Sequence, residues 1–268
     1  MSHTIFQNKK IFYRKEGVGK LVILIHGFAE TGEVWADLAK SLKQNFTVII
    51  PDLPGSGKSE IIEAEMTMEL FADVIKQIHS LEIKTASEPF SIIGHSMGGY
   101  IALAFAEKYE QSLNSLGLFH SSCFSDTEEK KRSRENAISF VTKNGTQPFL
   151  QIANPDLFSE KSRQNSPDLI ERFMALSKHF SCEAFTQYCK AMMLRPDRSS
   201  ILKEFKRPVL FIQGEHDAAV PLSSGLKQVH LPGTCHFHIL KNSGHMGMWE
   251  EPKIALKYMQ DFLLDLTN

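Results

Sequence analysis

The stretch of sequence with the clearest structural signal reads FSIIGHSMGGYIALAFA and spans residues 90–106. An apolar run typical of a buried strand ends in a Gly-x-Ser-x-Gly motif, and a helix-like sequence follows it at once. A turn this tight between a strand and a helix leaves no room for side chains at Gly94 and Gly98. The motif therefore predicts that Ser96 is presented as an exposed nucleophile.

On both sides of this turn, short apolar runs alternate with amphipathic helical segments. This alternation predicts a mostly parallel sheet flanked by helices. A hairpin is expected over residues 4–15, one helix after Thr67 and another from Glu250 onwards. The runs expected to form the parallel strands are 21–25, 46–50, 90–94, 113–119, 209–213 and 235–240.

The alternation of strands and helices stops after Ser121 and resumes near Arg207. The intervening sequence is first charged and helical and then rich in phenylalanine. We interpret residues 122–207 as an inserted helical cap, and residues 1–121 and 208–268 as the core domain. Most cap aromatic side chains are expected to form the cap's own core and its contact with the sheet, and a minority to line an apolar pocket.

Composition and charge exclude several classes of protein. The chain has 268 residues, with 30 Lys and Arg against 31 Asp and Glu, so no overall field favours nucleic acid or an anionic membrane. No signal peptide or membrane span is apparent, which predicts a cytoplasmic protein whose partner is a small-molecule substrate. The four cysteines form no Cys-x-x-Cys pair, so neither a metal nor another cofactor is expected. No pattern indicates the oligomeric state.

The loop DLPGSGKS over residues 52–59 is similar to a phosphate-binding P-loop. Asp52 stands where that motif requires its first glycine, and the next helical pattern starts only near Thr67. The helix N-terminus that holds phosphate in such sites is therefore missing. We interpret this loop as structural.

A serine hydroxyl is a weak nucleophile and needs a base oriented by a third group. Two later loops supply candidates: QGEHDAAVP over residues 213–221 and NSGHMGMW over residues 242–249. Both follow predicted parallel strands, and α/β sheets bind ligands at the carboxyl ends of such strands.

With these motifs in this order, the chain resembles the α/β-hydrolase superfamily. The resemblance implies an eight-stranded, mostly parallel sheet, with Ser96 as nucleophile, Asp217 as acid and His245 as base. Glu215 is the competing acid in the same loop. The family pattern falls on Asp217, and a carboxylate two residues away would be swung off the imidazole.

The same resemblance implies an oxyanion hole formed by the backbone N–H groups of Phe28 and Met97. His120 follows a predicted strand and is expected either to line the substrate pocket or to have a structural role. Phe124 and Met248 complete the predicted pocket.

The function implied by the resemblance is hydrolysis of a small, largely apolar carboxylic ester or thioester through an acyl-enzyme. A carbon–carbon bond hydrolase or a menaquinone-type lyase with the same triad is the nearest alternative. The basic run Lys130, Lys131, Arg132 and Arg134 would favour such anionic substrates if it faced the pocket, although charge runs on helices usually face solvent. A non-catalytic receptor of the same fold is a further alternative, but a receptor needs no triad.

Overall fold

The sheet has eight strands in the part of the chain that the computed structural model describes, residues 1–82 and 88–266. Its strand order is β1-β2-β4-β3-β5-β6-β7-β8. The strands are β1 (Ser2–Phe6), β2 (Lys9–Glu16), β3 (Lys20–Ile25), β4 (Phe46–Pro51), β5 (Phe90–His95), β6 (Leu113–Phe119), β7 (Val209–Gly214) and β8 (Cys235–Leu240).

Strands β3 to β8 are parallel, whereas β1 and β2 form an antiparallel hairpin that joins the sheet through β4. Gln7 and Asn8 make the hairpin turn, with φ values of 48° and 64°, the conformation that two-residue hairpin loops require. The predicted hairpin and the six predicted parallel strands are confirmed, as is the α/β-hydrolase fold class.

Helices cover both faces of the sheet. The α-helices are α1 (Ala36–Leu42), α2 (Met68–Glu82), α3 (Met97–Tyr109), α4 (Glu128–Asn144), α5 (Thr146–Ala153), α6 (Glu160–Asn165), α7 (Pro167–Ser177), α8 (Cys182–Leu194), α9 (Ser199–Glu204), α10 (Leu222–Leu226), α11 (Gly247–Glu250) and α12 (Pro252–Asp265). Short 3-10 helices span Gly32–Trp35, Glu110–Ser112 and Asn154–Leu157. Among these described helices, none is long and apolar enough to cross a membrane.

Alternate residues of β3 belong to two separate cores, because successive side chains of a strand point to opposite faces. Ile23 and Ile25 pack in the core that includes α2 and α3. Val22 and Leu24 pack in the core that includes α1 and α12. Burial on both faces explains why these strands are continuous apolar runs.

The spacing of apolar residues in the two predicted helices also predicts burial of Leu81 and Ile254, and this part of the prediction is wrong. Leu81 is 61% exposed and Ile254 is 42% exposed. On α12 the buried face is formed by Ala255, Met259 and Phe262, and Ile254 lies about 100° around the helix from Ala255. On α2 the last buried residues are Ile78 and His79, and Leu81 lies outside this buried face near the end of the helix.

The segment between β6 and β7 contains helices α4 to α9, so the predicted insertion is helical. Its helix α8 is seated on the core domain: Tyr188 is fully buried, and its hydroxyl donates to the Pro54 carbonyl at 2.9 Å. Asp126, near the start of the insertion, pairs with Arg195, near its end, at 2.9 Å. This ion pair clamps the two ends of the insertion together.

The loop over residues 52–59 is closed by its own carboxylate. Asp52 Oδ1 accepts from the Gly32 N–H at 2.9 Å, and Oδ2 accepts from the Lys58 N–H at 3.0 Å. A Cβ on Gly57 would lie 2.3 Å from Asp52 Oδ2. The interior of the loop therefore holds a negative charge, which supports the structural interpretation of this P-loop-like sequence.

Candidate active site

Ser96 lies on a strained turn between β5 and α3. Its φ and ψ are 50° and −116°, a conformation that non-glycine residues adopt only when the surrounding structure holds them there. Its N–H donates to the Phe119 carbonyl at 2.9 Å. A Cβ on Gly94 would lie 2.1 Å from the Gly98 oxygen, and one on Gly98 would lie 2.4 Å from the Ile25 oxygen. Only glycine fits at these two positions.

The buried carboxylate of Asp217 is held on the loop after β7. Its Oδ1 accepts from the backbone N–H groups of Ala219 at 2.9 Å and Val220 at 2.8 Å. The Gln213 amide donates to Oδ2 at 3.3 Å. Glu215, the competing acid on the same loop, is exposed to solvent. The structure therefore places Asp217, and not Glu215, inside the site.

Two histidines share the second oxygen of Asp217. His245 Nδ1 lies 2.8 Å from Oδ2, and His120 Nδ1 lies 3.0 Å from the same atom. His120 Nδ1 is also 3.2 Å from the Gly214 nitrogen. We assign the proton to His120 Nδ1, because the Asp217 carboxylate can only accept and is nearer than the Gly214 N–H, which can only donate.

Burial and the neighbouring charges shift the pKa values of these three side chains in opposite directions. Burial would raise the pKa of Asp217, but the neighbouring imidazoles hold that pKa well below its usual range. Burial would lower the pKa of His245, but the Asp217 carboxylate outweighs it and the pKa is raised. At His120 burial dominates and lowers the pKa to about 4, so this imidazole is neutral near pH 7.

The backbone of His245 is fixed from two sides. Its N–H donates to the Leu157 carbonyl of the insertion at 2.6 Å, and its own carbonyl accepts from His95 Nε2 at 2.9 Å. Glu250 Oε1 accepts from the Gly244 N–H at 2.8 Å and so anchors the same loop. Because His95 directly precedes Ser96, the hydrogen bond from His95 ties the base loop to the nucleophile turn.

A second buried carboxylate lies behind the turn. Glu30 Oε1 is 2.9 Å from His95 Nδ1, and its Oε2 accepts from the Gly27 N–H at 2.6 Å. Burial would raise the pKa of Glu30, but the His95 imidazole outweighs it and the pKa is lowered. Sequence reasoning missed Glu30. The available signal was an acid three residues after Gly27 in the HGFAE sequence.

The two predicted oxyanion-hole residues lie beside the turn. Met97 opens α3, so its N–H has no partner within the helix. Within the described ranges, neither Met97 nor Phe28 has a hydrogen bond from its backbone N–H. The Phe28 ring packs edge-on against Phe185, with centroids 5.0 Å apart. The role of these N–H groups remains a prediction.

The structure separates the three predicted pocket residues. Phe124 is partly buried and lines a cavity of about 320 Å³. Met248 is fully buried in the core that contains α1 and α12, and His120 is fully buried behind Asp217. Of the two roles expected for His120, this placement favours the structural one.

His120, Asp217 and His245 also have the donor types of a metal site, with ligand atoms within 4.8 Å of one another. Both imidazole Nδ1 atoms are at hydrogen-bond distance from one carboxylate oxygen. A metal bound by these same atoms would have to replace both hydrogen bonds. The observed geometry therefore fits proton transfer better than metal ligation.

Comparison with known proteins finds one matching family model, described as the alpha/beta hydrolase fold, over residues 20–137. A 2-hydroxy-6-oxononadienedioate/2-hydroxy-6-oxononatrienedioate hydrolase from Paraburkholderia phymatum is 27% identical, over 95% of this chain and 91% of the relative. A thermophilic esterase from Thermogutta terrifontis superposes with a TM-score of 0.91 at 27% identity, over 97% of this chain and 95% of the esterase. An enol-lactonase from Burkholderia xenovorans gives a TM-score of 0.88 at 20% identity, over 98% and 100% of the two chains.

Proposed function

We propose that this protein, an α/β-hydrolase by its fold and by its resemblance to that superfamily, is a serine hydrolase that works through an acyl-enzyme. The observation that carries the proposal is the strained turn at Ser96, next to a loop whose imidazole is bonded to a buried carboxylate. Strain of this kind is retained where the geometry serves a function. A serine, a base and an orienting acid make up the machinery of acyl transfer.

In the proposed first step, the Ser96 hydroxyl oxygen forms a bond to the substrate's carbonyl carbon while His245 Nε2 takes the hydroxyl proton. The carbonyl π electrons move onto oxygen, and the N–H groups of Phe28 and Met97 stabilise that charge. Asp217 holds the proton on Nδ1 and stabilises the imidazolium that forms.

In the second half, the imidazolium of His245 gives its proton to the leaving group as the bond to the acyl carbon breaks. Water then attacks the acyl-enzyme and loses a proton to the same nitrogen. As the bond between the acyl carbon and Ser96 Oγ breaks, His245 returns that proton to Oγ and the acid product leaves. The raised pKa of His245 suits this cycle, because one group must act as both base and acid.

A carboxylic ester is the substrate class that we propose first. The Phe28 ring, next to one proposed oxyanion donor, belongs to an aromatic cluster with Phe180 and Phe185 from the insertion. Phe28 is the most exposed of the three, and its ring would suit an apolar acyl group. The likeness to the Thermogutta terrifontis esterase supports the same choice.

Hydrolysis of a carbon–carbon bond next to a carbonyl is the second candidate. It is favoured by the relative from Paraburkholderia phymatum, which is named as a 2-hydroxy-6-oxononadienedioate/2-hydroxy-6-oxononatrienedioate hydrolase. The same nucleophile and base would serve this reaction, but the leaving group would be a carbon atom that must be protonated.

A fluorophosphonate probe tests the serine chemistry directly. We expect the wild-type protein to be labelled on Ser96, which peptide mass spectrometry would locate. Ser96→Ala should lose the label while keeping its thermal unfolding transition. A folded wild-type protein that takes no label would overturn the proposal and favour the ligand-receptor alternative.

The substrate class requires a separate measurement. We expect turnover of p-nitrophenyl esters, compared as kcat/KM over a series of acyl lengths, to exceed turnover of a vinylogous 1,5-diketone. If the protein is labelled on Ser96, hydrolyses none of the esters and cleaves the diketone, the second candidate, hydrolysis of a carbon–carbon bond, would replace the first.

A further inference from the structure

A cavity of about 320 Å³ lies where the insertion meets the core domain. Its walls come from α3, the loop after β6, the start of α4, the residue that follows α8, and the segment from Val220 to just after α10. Ser96, Asp217 and His245 are not among its lining residues. The cavity is at the small end of the range that ligand sites occupy.

The charged side chains among the described lining residues are all positive. Lys130, Arg195 and Lys227 line the cavity, and among its described lining residues there is no Asp or Glu. Four hydroxyl side chains accompany these cations, and they belong to Ser122, Ser125, Thr127 and Ser224. Hydroxyl and cationic donors together are the groups that bind carboxylate and phosphate oxygens.

Arg195 adds a buried cation to the exposed lysines that line the cavity. The residue is 6% exposed, and its guanidinium carbon lies 3.9 Å from the ring centroid of Tyr100, which also lines the cavity. Its Nη atoms reach Asp126 and the carbonyls of Met192 and Phe124. Its buried Nε has no partner among the described residues.

The charges around Arg195 do not balance within their own cluster, in which the Arg134 side chain is 22% exposed. Asp126 pairs with Arg195 at 2.9 Å and with Arg134 at 2.6 Å. One carboxylate therefore faces two guanidinium groups, which leaves one positive charge in excess. The excess of positive charge and the buried Arg195 N–H without a partner among the described residues both favour an anionic ligand.

We propose that this cavity binds a small oxyanion, a carboxylate or phosphate group, which accepts hydrogen bonds from Arg195 and the wall hydroxyls while Lys130 and Lys227 close over it. The site is additional to the proposed hydrolase chemistry and does not depend on it. Its occupant would also touch the acid loop, because Val220 lines the cavity and Lys130 Nζ donates to the Ala219 carbonyl at 3.2 Å.

Calorimetric titration with malonate, at constant ionic strength, tests the site. We expect saturable binding of malonate and of inorganic phosphate, and none of malonamide, which has a similar shape but no charge. Replacing Lys130 and Lys227 together by alanine should weaken malonate binding about tenfold or more. Both side chains are exposed, so the double variant should fold.

Lys131→Ala is the matched control, because Lys131 is the next residue on α4, pairs with Glu128 at 2.8 Å and does not line the cavity. It should bind malonate within twofold of the wild-type protein. Ser96→Ala should also bind normally, which separates this test from that of the hydrolase.

Two results would overturn the site: equal heats for malonate and malonamide, or unchanged affinity in the double lysine variant. Fluorophosphonate labelling then identifies the source of a bound oxyanion. Slower labelling of Ser96 in malonate assigns the site to an acid group of the substrate, and unchanged labelling assigns it to a separate free anion.

Discussion

Two buried carboxylate–imidazole pairs lie within this site. Their histidines have the same kind of partner at Nδ1 but differ at Nε2. In each, the histidine Nδ1 faces an acid: His245 faces Asp217 at 2.8 Å, and His95 faces Glu30 at 2.9 Å. They differ at Nε2. His95 uses that nitrogen to donate to the His245 carbonyl, whereas within the described chain no hydrogen bond engages Nε2 of His245.

We propose that this difference separates the general base, His245, from a positioning residue, His95. Both ring nitrogens of His95 are engaged in hydrogen bonds, so neither is available to the Ser96 hydroxyl. His120 is a third case, because its buried Nε2 has no partner among the described residues and a Cβ on Gly247 would lie 2.4 Å from it. A neighbouring acid alone therefore does not make a catalytic histidine.

The largest expected effect on kcat comes from removing the imidazole of His245. His245→Ala should lower kcat for ester hydrolysis by about 10⁶, because no other group in the site can take the Ser96 proton. Stopped assays at high enzyme concentration would measure the residual rate, and circular dichroism would check the fold. Activity within tenfold of wild type would mean that another group is the base.

Removing the charge of Asp217 should have the next largest effect. Asp217→Asn should lower kcat by about 10⁴, because the amide cannot hold the reactive tautomer or stabilise the imidazolium. Glu215→Gln, on the same loop but exposed, is the matched control and should retain kcat within twofold. Equal losses in the two variants would contradict the assignment of the acid.

The Glu30 pair should matter more for stability than for chemistry. Glu30→Gln leaves His95 without its charged partner in a buried site, at a cost of about 3 to 5 kcal/mol in the free energy of unfolding. Urea unfolding would measure this loss. Glu33→Gln, which breaks an exposed pair with Arg14, should cost less than about 1 kcal/mol. A kcat loss as large as that of Asp217→Asn would make Glu30 part of the chemistry.

The smallest effect should come from His120. At low pH, activity should fall as the imidazole of His245 becomes protonated, and its raised pKa places this fall above the position for an ordinary histidine. His120→Gly removes one donor from Asp217, so the carboxylate should attract the His245 proton more strongly. We expect the acid limb of the kcat/KM profile to move to higher pH, with at most about a tenfold loss of kcat.

Glycine suits this position because it tolerates the positive φ of 49° observed at His120 and carries no side-chain donor. An acid limb that stays in place or moves to lower pH would show that His120 does not act through Asp217. His238→Gly offers a comparison at a partly buried histidine on β8, outside the cluster around Asp217.

The sequence predicted the parallel strands to within about a residue, because strands buried on both faces are unbroken apolar runs. The turn at Ser96 was equally predictable, since its glycines and the flanking strand and helix are close to it in the sequence. Glu30 and His120 were harder, because their partners lie 65 and 97 residues away. Lys130 and Lys131 are neighbours in one basic run, and only the packing of α4 decides which of them faces the cavity.

The hydrogen bond between the His245 N–H and the Leu157 carbonyl has a consequence for protein engineering. Glu250 adds to it, because its two carboxylate oxygens accept from Gly244 in the base loop and from Ser159 in the insertion. Residues 157–159 thus act as scaffolding for the base although they lie outside the core sequence. A chimaera that exchanges the whole insertion for that of a relative should misplace the imidazole, so a transplant that aims to change specificity should leave this short segment native.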